Sequence, residues 1–281
     1  MTDAKLDLQT LNMRPFEGAQ HEAFVLEGGQ NAALLVHGFI GTPAEMRPTA
    51  DDLHQRGWTA HAPLLAGFGK DLDQLASVRA DDWINSVRQQ LQTLRQRYQR
   101  VVLIGFSMGG AIALNVASQT PPDKLVLINP FTRLEGALWS LMPVFGLFMK
   151  HYKPFKLVKI DFKNPETRKN IAQFMPEADL DDPRIQQAVL NFSMPMSALL
   201  QLKRVGDSAY RLAPRIHTPT LVIQATRDKT VPPASTHALA QRLPRAELVE
   251  VDAEHNFVKH ELDKLALVLP KLASFVEGTG V

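Results

Sequence analysis

Short apolar runs rich in β-branched residues alternate along this chain with longer stretches whose apolar positions recur at helical spacing. The pattern predicts strands over residues 32–36, 58–63, 101–105, 124–128, 219–225 and 247–251, and helices over about 44–56, 81–98, 108–118, 234–243 and 261–276. The strand segments VVLIG, KLVLIN and LVIQA are apolar at consecutive positions, as in strands covered on both faces. Strands and helices in alternation build an α/β architecture, a mostly parallel central sheet flanked by helices. Residues 14–29, ahead of the first core strand, read as an antiparallel hairpin at the sheet edge.

The alternation breaks once. Residues 131–212 carry no strand signal, and the Leu/Met/Phe-rich stretch ALWSLMPVFGLFMK is followed by helical pieces punctuated by Pro154, Pro165, Pro176, Pro183 and Pro195. A segment of that length between two core strands is expected to be an insertion with its own structure. The expected organisation is a first core part over 1–130, a helical insertion over 131–212 and a second core part over 213–281.

Composition narrows the class. With 281 residues, 45% of them hydrophobic and 21% charged, the chain can bury one large core or two small ones, so disordered, collagen-like and disulfide-scaffold readings drop out. A formal net charge of +2 is too balanced for a nucleic-acid partner. Asp3, Lys5 and Asp7 interrupt the region where a secretory signal would be apolar, so a cytoplasmic location is the default expectation. The Leu/Met/Phe-rich charge-free stretch 136–149 contains Pro143 and falls short of the roughly 20 residues of a membrane-spanning helix. The absence of cysteine excludes thiolate nucleophiles and zinc-thiolate or iron–sulfur sites, and no metal or organic cofactor is expected. The oligomeric state is left open.

The chemistry concentrates in VVLIGFSMGGAIALNVAS, where a buried strand runs into Gly105-Phe106-Ser107-Met108-Gly109 and then a helix rich in small residues. This is G-x-S-x-G between strand and helix: the serine sits on a sharp, strained turn, and Gly105 and Gly109 let the chains approach without a Cβ clash. A serine hydroxyl needs a base to accept its proton and an acid to orient that base, here in the chain order Ser, acid, His. Asp228, in the loop after strand 219–225, is the candidate acid, whereas Asp207, Asp181 and Asp182 lie in the insertion. Of the later histidines, His255 follows strand 247–251 directly, while His237 falls within a predicted helix and His260 at the start of one. Oxyanion donors are expected from the backbone N–H groups of Met108 and of Phe39, with Gly38 allowing the chain to turn inward. His37 precedes the serine and is read as structural or pocket-shaping.

Together HGFIGTPAEM, APLLAGFGKD, DDWINSVRQQLQ, GFSMGG, ATRDKTVP and AEHNF resemble the α/β-hydrolase superfamily, in particular its bacterial carboxylesterase and monoacylglycerol-lipase-like group, over about residues 30–130 and 215–277. The resemblance implies Ser107 as nucleophile, Asp228 as acid, His255 as base, the Phe39 and Met108 amides as oxyanion hole, and the insertion as a lid. One position departs: where such sequences carry a Pro-Gly-His-Gly type loop, this chain has Leu65-Ala66-Gly67-Phe68-Gly69. The expected activity is serine carboxylic-ester hydrolysis through an acyl-enzyme, on a small-molecule ester of short to medium acyl length or a monoacylglycerol. The alternatives are a C–C bond hydrolase or perhydrolase with the same triad, a ligand-binding protein without turnover, and an interaction protein that docks through the apolar insertion. The basic cluster Lys150, His151, Lys153, Lys156 and Lys159 fits a solvated face better than a membrane contact.

Overall fold

The computed structural model describes residue 16 and residues 18–133, 137–153, 160–172 and 179–278. Pro154, Lys156, Lys159 and Pro176 lie outside the described residues, as do positions 14, 15 and 17 of the expected hairpin.

The strands are β1 (Phe24–Leu26), β2 (Asn31–Val36), β3 (Thr59–Ala62), β4 (Arg100–Phe106), β5 (Lys124–Ile128), β6 (His151–Tyr152), β7 (Met194–Pro195), β8 (Thr220–Ala225) and β9 (Ala246–Val251). Seven of them form one sheet in the order β1-β3-β2-β4-β5-β8-β9, in which every pairing is parallel except β1 with β3. Alternation within a strand divides the core between two faces. Ala32, Leu34 and Val36 of β2 pack with Trp83, Leu91 and Leu114 on one side, while Ala33 and Leu35 pack with Leu53, Phe257 and Leu272 on the other. That double burial is why the strands read as continuous apolar runs.

The helices are α1 (Arg47–Gln55), α2 (Ala80–Arg97), α3 (Met108–Ala117), α4 (Ala137–Phe148), α5 (Pro165–Ala172), α6 (Pro183–Asn191), α7 (Met196–Leu212), α8 (Pro233–Ala240), α9 (Phe257–His260) and α10 (Leu262–Glu277). This is the α/β-hydrolase fold expected from the sequence, and the helix over 44–56 is resolved into a 3-10 turn, Pro43–Met46, followed by α1.

Two expectations are corrected. Among the described residues of 14–29 no hairpin forms at the edge: after a 3-10 turn over Ala19–His21, β1 pairs antiparallel with β3, Phe24 opposite Ala62. The chain between β1 and β2 folds against the approach to β3, where the Gly29 N–H donates to the Gly57 carbonyl and a Cβ on Gly28 would lie 2.5 Å from the Trp58 carbonyl oxygen. The insertion also carries strand after all, in that β6 pairs antiparallel with β7, His151 opposite Pro195. Each is two residues long, too short to leave an alternating pattern.

α7, at the end of the insertion, packs on α3: Ala198, Val205 and Ala209 are buried in the main core, and Asn115 Nδ2 donates to the Val205 carbonyl at 3.1 Å. Gly206 is required there, because a Cβ would fall 1.7 Å from the Thr132 carbonyl oxygen.

Because the pairings are parallel and nearly in register (Val36 opposite Gly105, Phe106 opposite Ile128, Ile128 opposite Ile223, Ala225 opposite Val251), the carboxyl ends of β2, β4, β5, β8 and β9 lie along one edge of the sheet. In open α/β sheets that edge is where ligands bind.

Candidate active site

At the end of β4 the backbone turns sharply into α3, and Ser107 adopts φ 52° and ψ −118°, a left-handed conformation costly for a residue with a Cβ. Its neighbours explain the glycines. A Cβ at Gly105 would lie 2.3 Å from the Gly109 carbonyl oxygen, and one at Gly109 would lie 2.1 Å from that of Val36. Ser107 is buried, and the main chain at the start of α3 presents N–H groups, including that of Met108, for which the helix has no acceptor.

Ser107, His255 and Asp228 come together although they lie far apart in sequence. Ser107 Oγ is 3.1 Å from His255 Nε2, and His255 Nδ1 is 2.6 Å from Asp228 Oδ2. The carboxyl group accepts at Nδ1, so that nitrogen carries the proton and leaves the Nε2 lone pair facing the hydroxyl. Asp228 is held in turn, its Oδ1 accepting the N–H groups of Thr230 and Val231 at 2.8 Å each. The Asp228 side chain is 0% exposed and that of His255 13%, so the ring can be reached from one side while its orienting group is closed off. The Phe106 ring backs the imidazole at 5.1 Å.

The loop leaving β2 packs beside Phe106, whose ring would lie 3.3 Å from a Cβ on Gly38. The Gly38 carbonyl accepts from His37 Nδ1–H at 2.9 Å and from the Gly41 N–H at 3.2 Å. A trans peptide is planar, so anchoring that carbonyl orients the Phe39 N–H in the opposite direction. His37 Nε2 accepts the Leu65 N–H at 3.1 Å, so both nitrogens of the neutral ring are used, and burial pushes its pKa down to about 4. His37 therefore joins the loop leaving β2 to the loop at Leu65 and takes no part in the Ser107–His255–Asp228 chain.

Phe68, the position that departs from the resembled group, is a fully buried core ring, 5.5 Å from His37, 5.7 Å from Phe39 and 5.5 Å from Trp83. Behind the same loop sits Glu45, a residue the sequence reading passed over. Its Oε2 accepts the Gly38 N–H at 2.9 Å, and its carboxyl group fills the space where a Cβ on Gly41 would clash at 2.1 Å. Burial pushes Glu45 up to about 7, against the Gly38 N–H bond and the charges of Lys259 and His255, which pull it down. The signal available in sequence was a carboxylate two residues after Gly-Thr-Pro, in the first turn of a helix.

The other candidates sit elsewhere. His237 pairs with the exposed Glu250 at 2.9 Å, and His260 ends α9. Asp207 accepts from Lys203 and Trp139, Asp181 from Arg168, and Asp182 caps α6 by accepting the Arg184 N–H. Among the described residues no cluster of three or more His, Asp or Glu could hold a metal ion, and no helix is long and apolar enough to cross a membrane.

A parallel sheet with a strained serine between strand and helix, a histidine and an aspartate after later strands, and a glycine loop opposite them defines the α/β-hydrolase class. Residues 30–260 match the Hydrolase_4 family, described as serine aminopeptidase, S33, and the chain belongs to that family. Among its relatives are the thermostable monoacylglycerol lipase of Bacillus sp. (strain H-257), 27% identical over 92% of this chain and 96% of the relative, and the carboxylesterase of Bacillus subtilis (strain 168), 26% identical over 74% and 76%. The pimeloyl-[acyl-carrier protein] methyl ester esterase of Vibrio atlanticus (strain LGP32) is 30% identical over 76% of this chain and 83% of its own. A solved structure from work on the metagenome-derived lipolytic enzymes LipS and LipT superposes with a TM-score of 0.72 at 23% identity, covering 92% of this chain and 98% of its own, which supports the fold.

Proposed function

We propose that this protein is a serine carboxylic-ester hydrolase that works through an acyl-enzyme. The observation that carries the reading is the chain Ser107 Oγ, His255, Asp228, with gaps of 3.1 and 2.6 Å, at the tip of a strained strand-to-helix turn. His255 Nε2 takes the Ser107 proton as Oγ attacks the ester carbonyl, while Asp228 holds the ring and stabilises the imidazolium that forms. The Phe39 and Met108 N–H groups receive the developing oxyanion. The imidazolium then protonates the departing alcohol, and water, deprotonated by His255, releases the acid. The three relatives named above are ester-cleaving enzymes by name, which supports an ester as substrate.

Residues 131–212 are proposed as a lid over this edge of the sheet. Within it, α4 presents two faces: Trp139 is buried against Phe131 and Met142 packs on the core, while Leu141, Val144 and Phe148 face solvent. An acyl chain of short to medium length would lie on the inner face.

The test is hydrolysis of p-nitrophenyl esters from acetate to palmitate by the wild type and Ser107→Ala, with fluorophosphonate labelling of both. Turnover that peaks at short or medium chains and vanishes with Ser107→Ala supports the reading. Turnover surviving in Ser107→Ala, or none across the series, overturns it.

A further inference from the structure

The exit of β5 reaches the turn after β4, strand β8 and the loop that carries His255. The Ser107 N–H donates to the Ile128 carbonyl at 2.9 Å, and the Ser107 carbonyl accepts the Phe131 N–H at 3.0 Å, so residues 128–131 grip the nucleophile's main chain from both sides. Between these contacts lies Asn129, fully buried, with φ 44°. That is left-handed backbone, which asparagine tolerates better than most residues with a Cβ. Its N–H donates to the Ile223 carbonyl at 2.8 Å and extends the β5–β8 seam past the last paired residue.

The side chain then crosses the seam. Asn129 Oδ1 accepts the Ala225 N–H at 2.7 Å, and Nδ2 donates to the His255 carbonyl at 2.7 Å. A main-chain N–H only donates and a carbonyl only accepts, so the two partners fix which way the amide faces. One buried side chain thus joins the last residue of the strand leading to Asp228 to the main chain of His255, from a segment that also holds Ser107. The reactive groups sit on three different loops, and a misplacement of about 1 Å in such a constellation costs on the order of a hundredfold in rate.

We propose that Asn129 is a positioning residue for acyl transfer, its amide setting the reach of His255 toward Ser107 by tying the histidine's backbone to the β5–β8 seam. It touches neither the reacting hydroxyl nor the imidazole nitrogens. The inference rests on the reading of Ser107, His255 and Asp228 as the acyl-transfer chain and adds a residue that neither motif nor chain order singles out.

Two variants separate positioning from folding. Asn129→Gly adopts positive φ without strain and removes both side-chain bonds. Asn129→Asp keeps an acceptor for the Ala225 N–H and sets an oxygen against the His255 carbonyl. Each is compared with wild type by thermal melting, by kcat and KM for p-nitrophenyl ester hydrolysis, and by the second-order rate of fluorophosphonate labelling. In variants that melt above the assay temperature, kcat and the labelling rate are expected to fall in parallel by about tenfold to a hundredfold, with KM within about twofold. A folded Asn129→Gly with wild-type kcat and labelling rate overturns the inference, as does a loss confined to KM. Hydrolysis surviving in Ser107→Ala would instead overturn the underlying reading of the site, and the two failures are told apart by that one control.

Discussion

Replacing Glu45 by Gln should change how the stability of this protein depends on pH, with a sign and size that follow from the structure. In the folded chain burial raises the Glu45 pKa from its ordinary 4.5 to about 7. Below pH 4.5 the group is protonated in both folded and unfolded chains and contributes no difference. Between the two values the folded chain holds a proton that the unfolded chain has released, so stability falls as pH rises. Above about 7 both states are ionised, and the folded state carries the full penalty of a buried charge. The shift corresponds to about 3 kcal/mol at the conversion of 1.36 kcal/mol for each pKa unit. His37 works in the opposite direction: with its pKa pushed down to about 4, its contribution is present above 6.5 and is lost as pH falls toward 4. The wild-type curve alone therefore mixes the two. Gln keeps an acceptor for the Gly38 N–H and cannot ionise, so the difference between the Glu45→Gln and wild-type unfolding free energies isolates Glu45. Urea denaturation followed by tryptophan fluorescence at intervals from pH 4.5 to 8 should show that difference growing by about 3 kcal/mol in favour of the variant. Parallel curves across the range would refute the assignment of Glu45 as a buried carboxyl that resists ionisation.

Three further outcomes are expected. Asp228→Asn keeps the size of the side chain but can favour the wrong tautomer of His255, so kcat should fall by about 10⁴-fold in a variant that still folds; a loss under tenfold would show that the Asp228 contact does not orient the base. Gly109→Ala drives a Cβ to 2.1 Å from the Val36 carbonyl oxygen, and a backbone oxygen cannot move aside as a side chain can, so the urea midpoint should drop by an amount equivalent to about 1–3 kcal/mol or more. An unchanged midpoint would mean that β2 and α3 approach less closely than this. His37→Ala removes the donor that anchors the Gly38 carbonyl and should lower kcat at least about tenfold through the Phe39 N–H, with Ser107 still labelled by a fluorophosphonate; a wild-type kcat would exclude His37 from orienting the oxyanion loop.

Some of these residues could be nominated from sequence because their placement follows from local pattern. Ser107 sits between a doubly buried strand and a small-residue helix, and Asp228 and His255 each follow a predicted strand, so their position at one edge of a parallel sheet follows from the strand assignment. Asn129 and Glu45 leave no such trace. Asn129 follows β5 as any loop residue would, and its importance comes from a bond spanning 126 residues to the His255 carbonyl. Glu45 resembles an ordinary acidic residue in the first turn of a helix, until its carboxyl group is found beneath Gly38 and Gly41. The edge strand differs from the expected hairpin for the same reason: three residues, Phe24–Leu26, do not specify a partner, and in the folded chain they pair with β3.

The chain by itself determined the periodic elements, the burial of the sheet on both faces, the strand-to-helix turn at Ser107 and the family it resembles, because hydrophobic period and glycine spacing act over a few residues. The tertiary structure decided what depends on distance through space: the 3.1 and 2.6 Å contacts that join Ser107, His255 and Asp228, the neutral state of buried His37, the raised pKa of Glu45 and the reach of Asn129 across three strand ends. Hydrogen bonds between distant segments and the cost of burying a charge exist only once the chain is folded, and sequence periodicity carries no record of them.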